Sequence, residues 1–370
     1  MERVLICIIG STRAHRLTFP GFKRQVIDQL NGDLALALCI NENYDYSNPF
    51  WQHAKYRWTA PVFDDMGEAF DLAQNWLCQQ NSLRPADWRV MLRLKGLWQG
   101  KIRSSDPQPS VASIATFCRW LLLHGMQQDD LLDGYDRFVI TRSDFAWLCP
   151  HPPLSILEPS AIWIPDGEHY DGINDRHAIV SRTDVSDFLN IVSDIALHPH
   201  ELYEEMNHQP TWNPEQFLAH HLMRKGLLQK VKHFPYVMYA AREVGDETAT
   251  WSRGIYESAV GHYVKYPQEF RSATAYATIV RDRADWENRA WMEFDPGSVP
   301  SRQISFPRRL RNVCERIFIE TVLPLKRPPR VGRLVRFSKQ MVRRAVRLLQ
   351  ASLRRGMSIV LSLHWRKVSL

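Results

Sequence analysis

The six cysteines of this 370-residue chain are scattered, and no two of them stand in a Cys-x-x-Cys pair. That spacing argues against a zinc ribbon, a thioredoxin-like redox motif or a disulfide framework, and a reducing compartment is expected. No run of 18 apolar residues occurs, so no membrane-spanning helix is expected. The apolar run Val4–Ile9 is too short for the core of a secretion signal and is followed by no cleavage site. Several catalytic signatures are missing as well. Gly96-Leu-Trp-Gln-Gly-Lys101 has one residue too few between its glycines for a P-loop, and Ile102 stands where Ser or Thr is needed. Gly10 lacks the further glycines of a dinucleotide fingerprint. There is neither a Gly-x-Ser-x-Gly elbow nor a His-Glu-x-x-His pair. His198 and His200, like His220 and His221, read as isolated loop or helix histidines.

The scarcest residues of all are acids near the end of the chain. Residues 301–370 hold 18 Lys or Arg and only Glu315 and Glu320, a net of about +16, whereas the whole chain nets +7. Residues 1–300 are therefore acidic, near −9. This asymmetry divides the chain into a body, 1–300, and a basic tail, 301–370. From Val331 onward, Val342, Val346, Leu349, Leu353, Met357 and Val360 recur every three or four residues, while Arg343, Arg344, Arg347, Arg354 and Arg355 fall opposite them. The pattern predicts a basic amphipathic helix. Its apolar stripe, with Trp365 beside Arg366 and Lys367, favours an anionic membrane surface as partner. Nucleic acid is disfavoured by the same stripe and by the shortage of aromatics. A helix packed on the body is the third possibility.

The body has the 45% hydrophobic and 24% charged content of a folded domain with a substantial core. Val4–Ile9 and Leu34–Ile40 read as buried strands flanking a helix from Pro20 to Leu30. Helices are expected at 66–79, 111–125 and 183–195, and strands at 137–141 and 161–164. Asn213 is a candidate N-cap for a helix with Pro214 in its first turn. Such alternation predicts an α/β fold, a mostly parallel sheet flanked by helices, with ligands at the carboxyl ends of the strands.

Two loops concentrate polar chemistry there. Arg142-Ser-Asp144 follows the strand 137–141, where an Asp can hold a divalent cation and an Arg can meet phosphate. A strand-end salt bridge or a helix cap would use the same residues. Asp166–Arg176 packs six acidic or basic side chains and two glycines into one segment, as a general base with sugar-hydroxyl recognition requires, although a solvated turn has a similar composition.

Four segments, in order, resemble bacterial GT-A-type glycosyltransferases and related surface-polysaccharide biosynthesis proteins. They are Ile8-Ile-Gly-Ser-Thr-Arg13, Tyr135–Asp144, Gly172-Ile-Asn-Asp-Arg-His-Ala-Ile-Val180, and Asn213–Leu218 with Arg242 beyond it. The resemblance covers roughly residues 3–255 and omits the tail. It implies a GT-A-like (Rossmann-like) fold and transfer of a sugar from a nucleotide-sugar donor to a polysaccharide or lipid-linked acceptor, and the basic tail puts that reaction at the cytoplasmic membrane face. By the same resemblance, Arg13, Arg142 and Asp144 would hold the donor diphosphate, with Asp144 on Mg²⁺ or Mn²⁺. Asn174 and Arg176 would face the sugar or acceptor, with Asp175, or else Glu215, as the catalytic carboxylate. The full Asp-x-Asp of that family is absent because position 142 is Arg, which would supply part of the cation's charge. A degenerate transferase fold serving as a membrane-surface assembly factor is the alternative.

Overall fold

Six successive apolar residues open the strand β1, Val4–Gly10, and all six are buried. A strand of that kind needs cover on both faces, and the computed structural model supplies it. The structure describes residues 2–103, 110–243 and 254–298. The tail 301–370, with its expected amphipathic helix, lies outside the described residues.

The strands that follow are β2 (Asp33–Ile40), β3 (Tyr56–Pro61), β4 (Arg137–Thr141), β5 (Phe145–Trp147), β6 (Ile162–Asp166) and β7 (Ala178–Ser181). After them come β8 (Val231–Pro235), β9 (Met238–Arg242), β10 (Ile255–Glu257) and β11 (His262–Val264). Seven form one sheet in the order β3-β2-β1-β4-β7-β6-β8. Only β7 runs against the others, pairing antiparallel with β4 and β6. A smaller antiparallel sheet, β10-β11-β9-β5, stands beside it.

Alternation along β1 assigns its side chains to two cores. Leu5, Cys7 and Ile9 pack with Phe70, Ala73 and Leu77 of the helix Met66–Asn81 and with Phe117, Leu121 and Leu122 of the helix Ala112–Gln128. Val4, Ile6 and Ile8 meet Phe22, Val26 and Leu30, on the helical stretch that runs from His15 to Leu30. Each such large apolar side chain removed from water contributes on the order of 2 kcal/mol. The expected class is thus present, an α/β fold with a mostly parallel sheet flanked by helices.

Two expectations shift. The helix foreseen over 183–195 breaks at Asn190 into Val185–Leu189 and Ile191–Leu197. Strand β3 was not expected: its residues alternate between half-buried and exposed, as befits a sheet edge, so it lacks the apolar run of a central strand.

Candidate functional site

The carboxyl ends of β1 and β4 lie side by side, with Ile8 opposite Thr141. Gly10 closes β1 at φ 95°, a left-handed conformation that favours glycine, and the chain turns into Ser11–Ala14. This loop is pinned from beneath. The Ser143 hydroxyl donates to the carbonyls of Ser11 (2.8 Å) and Arg13 (3.1 Å), and the Asn48 amide donates to Thr12 Oγ1 (2.8 Å). Arg13 is thereby held over the end of β4.

Asp144, only 1% exposed, is the anchor of this half of the site. Arg142 Nε and Nη2 donate to its two oxygens at 3.0 and 2.9 Å. Arg242 Nη1, from the end of β9, donates to Oδ2 at 2.6 Å, and Arg13 Nε stands 3.2 Å from the same atom. Burial alone would raise the carboxyl pKa, but the positive charges of Arg142, Arg13 and Arg242 hold it well below the usual carboxylate range. Both oxygens are occupied, and their partners are cations. A divalent ion about 4 Å from each guanidinium would meet a repulsion of several kcal/mol apiece. Asp144 therefore does not fit the metal-ligand role expected of it, and three arginines stand where the cation would be.

The second half is built by the loop before β7 and the helix Pro214–Arg224. Asn213 and Gln216 form a reciprocal cap: Gln216 N donates to Asn213 Oδ1 (2.7 Å) and Asn213 N to Gln216 Oε1 (3.1 Å). Glu215 therefore sits in the first helical turn, as the Asn-Pro-Glu sequence foretold. Ile173 N donates to Glu215 O at 3.0 Å, and Gly172 permits that approach, since a Cβ there would fall 2.2 Å from the Glu215 carbonyl carbon. Asp175 is fixed through its backbone, its carbonyl accepting from Arg119 Nη2 at 2.5 Å, while the same nitrogen is 3.8 Å from Asp175 Oδ2. Burial, and then the nearby Asp175 charge, push the Glu215 carboxyl up to about 7 despite Arg176 and Arg119.

Arg176 ties the halves together. Its Nη1 donates to the buried Glu269 at 2.6 Å, its Nη2 is 3.8 Å from Glu215, and its guanidinium stacks 4.4 Å from the Tyr266 ring centroid. Glu269 in turn accepts from the Tyr236 hydroxyl (2.8 Å) and from Ala240 N (3.0 Å).

Between the halves is a cavity of about 210 Å³. Of the residues expected from sequence, Arg13, Arg142, Asp175, Arg176 and Glu215 line it. Asp144 lies behind the arginines. Asn174, 1% exposed, does not line the cavity; its amide donates to Gly167 O and accepts from Arg176 N, so it shapes the loop. Arg242 and Lys265 complete the cationic wall, with Tyr266 beside them. Lys265, Tyr266, Arg119 and Glu269 were not singled out from sequence, and no local motif marks them. Ligand pockets usually begin near 300 Å³, so the cavity is smaller than a pocket that encloses a whole ligand.

Among the described residues one other group could take a cation: Asp166, His169 and His233, whose ligand atoms lie within 4.8 Å of one another. Both ring nitrogens of His169 already face backbone N–H groups, Gly167 N at 3.1 Å and Asn174 N at 3.3 Å, and none of the three residues lines the cavity.

No protein-family model matches this sequence, and no curated protein matches it. Solved structures similar to the chain include mouse xyloside xylosyltransferase 1 in its apo form, at 10% identity and a TM-score of 0.34, covering 63% of this chain and 85% of that one. Another is a protein described as a nucleotide-diphospho-sugar transferase from Desulfovibrio desulfuricans G20, at 12% identity and a TM-score of 0.31, covering 64% and 80%. Both scores are low, and the fold class rests on the chain's own sheet order and helices.

Proposed function

We propose that the protein is a glycosyltransferase that takes a sugar from a nucleotide-sugar donor. One observation carries this reading: a single cavity at the carboxyl edge of the sheet has a wall of arginines and a lysine on one side and two carboxylates on the other. The cationic wall suits a diphosphate, whose oxygens guanidinium groups recognise in bidentate fashion. As the sugar departs, negative charge grows on the diphosphate, and fixed cations stabilise that charge without reorganising.

On the facing wall, Asp175 and Glu215 divide acid–base work. Asp175 anchors or deprotonates the acceptor hydroxyl. Glu215, pushed up to about 7, changes protonation state near neutral pH and can exchange a proton there. The acceptor is a polysaccharide or lipid-linked glycan, and residues 301–370 hold the acidic body at the cytoplasmic face of an anionic membrane. The mixture of 18 cations and an apolar stripe in that segment supports this part of the reading.

The test is release of nucleoside diphosphate from UDP-, GDP- and dTDP-sugars in the presence of membrane glycans. Asp175→Asn should lower turnover by about a hundredfold or more, as loss of a positioned acid–base group does. Equal turnover in wild type and variant would overturn the catalytic assignment. An absence of turnover together with full nucleotide binding would favour the degenerate, assembly-factor alternative.

A further inference from the structure

We infer that this cavity binds the diphosphate of its ligand without a divalent cation, through Arg13, Arg142, Arg242 and Lys265. The inference rests on the nucleotide-sugar reading above and deepens it. Three observations support it independently.

The first is the closed state of Asp144. An acidic side chain at the end of a strand serves a metal only if it keeps a lone pair facing the ligand. Here both oxygens accept from guanidinium groups, and the residue is 1% exposed behind them. Asp144 orients the arginines, and all three line the cavity.

The second is Lys265. Its ammonium has no carboxylate within ion-pair distance among the described residues, and it lies 4.8 Å from the centroid of the Tyr266 ring. Burial, and then the charges of Arg142, Arg242 and Arg176, push this group down to about 7. A half-buried ammonium facing guanidinium groups is a site short of an anion.

The third is the charge count. Six cationic groups border the cavity or support its walls: Arg13, Arg119, Arg142, Arg176, Arg242 and Lys265. Four carboxylates stand within ion-pair distance of these groups: Asp144, Asp175, Glu215 and Glu269. The excess is two positive charges. It stays two if one proton moves from Lys265 to Glu215. A diphosphate diester carries two negative charges, so it neutralises the site alone, whereas its complex with a divalent cation would leave the excess unmet.

The experiment is calorimetric titration of the full chain with inorganic pyrophosphate and with uridine and guanosine diphosphates, in EDTA and again in Mg²⁺ or Mn²⁺. The expected result is binding in EDTA at least as tight as with metal. Lys265→Met should weaken binding in EDTA by about tenfold or more, and Lys265→Arg should restore most of it. Because Lys265 pairs with no carboxylate, its removal orphans none, and the variant should unfold at a midpoint no lower than that of the wild type. Binding that appears only with metal would overturn the inference and leave the transferase reading intact. Pyrophosphate binding in EDTA without binding of any nucleotide would support the cationic cradle and count against the transferase reading. No binding under either condition would overturn both.

Discussion

Replacing Glu215 by Gln should stabilise the protein in alkaline solution while lowering its turnover. The carboxyl is displaced from 4.5 to about 7, first by burial and then by Asp175. The sign follows from proton counting. Below the unfolded value both states are protonated, and the group costs nothing. As pH rises from 4.5 towards 7, the unfolded chain releases this proton and the folded chain keeps it, so folding stability falls. Above about 7 the folded state must also ionise, and the full cost is in place. A shift of that size, at about 1.4 kcal/mol per pH unit, amounts to roughly 3 kcal/mol. Gln has no proton to release. The stability difference between variant and wild type should therefore grow by roughly 3 kcal/mol between mildly acidic and mildly alkaline solution. Urea unfolding at a series of pH values measures it, and any constant offset from the amide cancels. A difference that stays flat across this range, or shrinks as pH rises, would refute the reasoning. Activity should move oppositely: the wild-type pH profile should bend near pH 7, and the variant should lose that bend with its turnover.

Further outcomes follow from the same contacts. Asp144→Asn removes the anion shared by three guanidinium groups and should cost about 3–5 kcal/mol in urea unfolding with EDTA present, the penalty for breaking a buried ion pair; a neutral effect would mean that the arginines do not depend on it. Gly172→Ala would force a Cβ to within 2.2 Å of the Glu215 backbone and move the loop by more than an ångström. Since a 1 Å misplacement costs about a hundredfold in rate, its turnover should fall steeply while a circular-dichroism spectrum stays native. Truncation after Pro300 should release the protein from anionic liposomes in a sedimentation assay, and equal binding with and without residues 301–370 would remove the membrane reading.

The sheet was legible because its central strands announce themselves: Val4–Ile9, Leu34–Ile40 and Arg137–Thr141 are the uninterrupted apolar or nearly apolar runs that doubly covered strands require. The edge strand Tyr56–Pro61 does not, since half its side chains face water. The loop residues were found by their position after those runs, and the Asn-Pro-Glu helix start by its capping chemistry. What spacing could not convey is where a carboxylate's lone pairs point. Asp144 is closed by Arg13 and Arg242, residues far away in the chain, and only the folded sheet brings them together. Lys265 and Glu269 were missed for the same reason: each lies beside an unremarkable helix start, and its meaning comes from Arg142, Arg176 and Arg242 across the cavity. The strand-end salt bridge and one wall of the cavity are thus a single arrangement. Asp144 makes the ion pairs, and the arginines so ordered form the wall of the cavity.

The most direct test is thermal unfolding of the full chain in EDTA with UDP-, GDP-, dTDP- and CMP-sugars in turn. A ligand present at a hundred times its dissociation constant adds about 2.7 kcal/mol, a readily measured rise in melting temperature. The cationic wall predicts such a rise with at least one of the three nucleoside-diphosphate sugars and a smaller one with the CMP-sugar, which offers a single phosphate. No rise with any of them, with or without Mg²⁺ or Mn²⁺, would contradict the assignment of the cavity to a nucleotide-sugar donor.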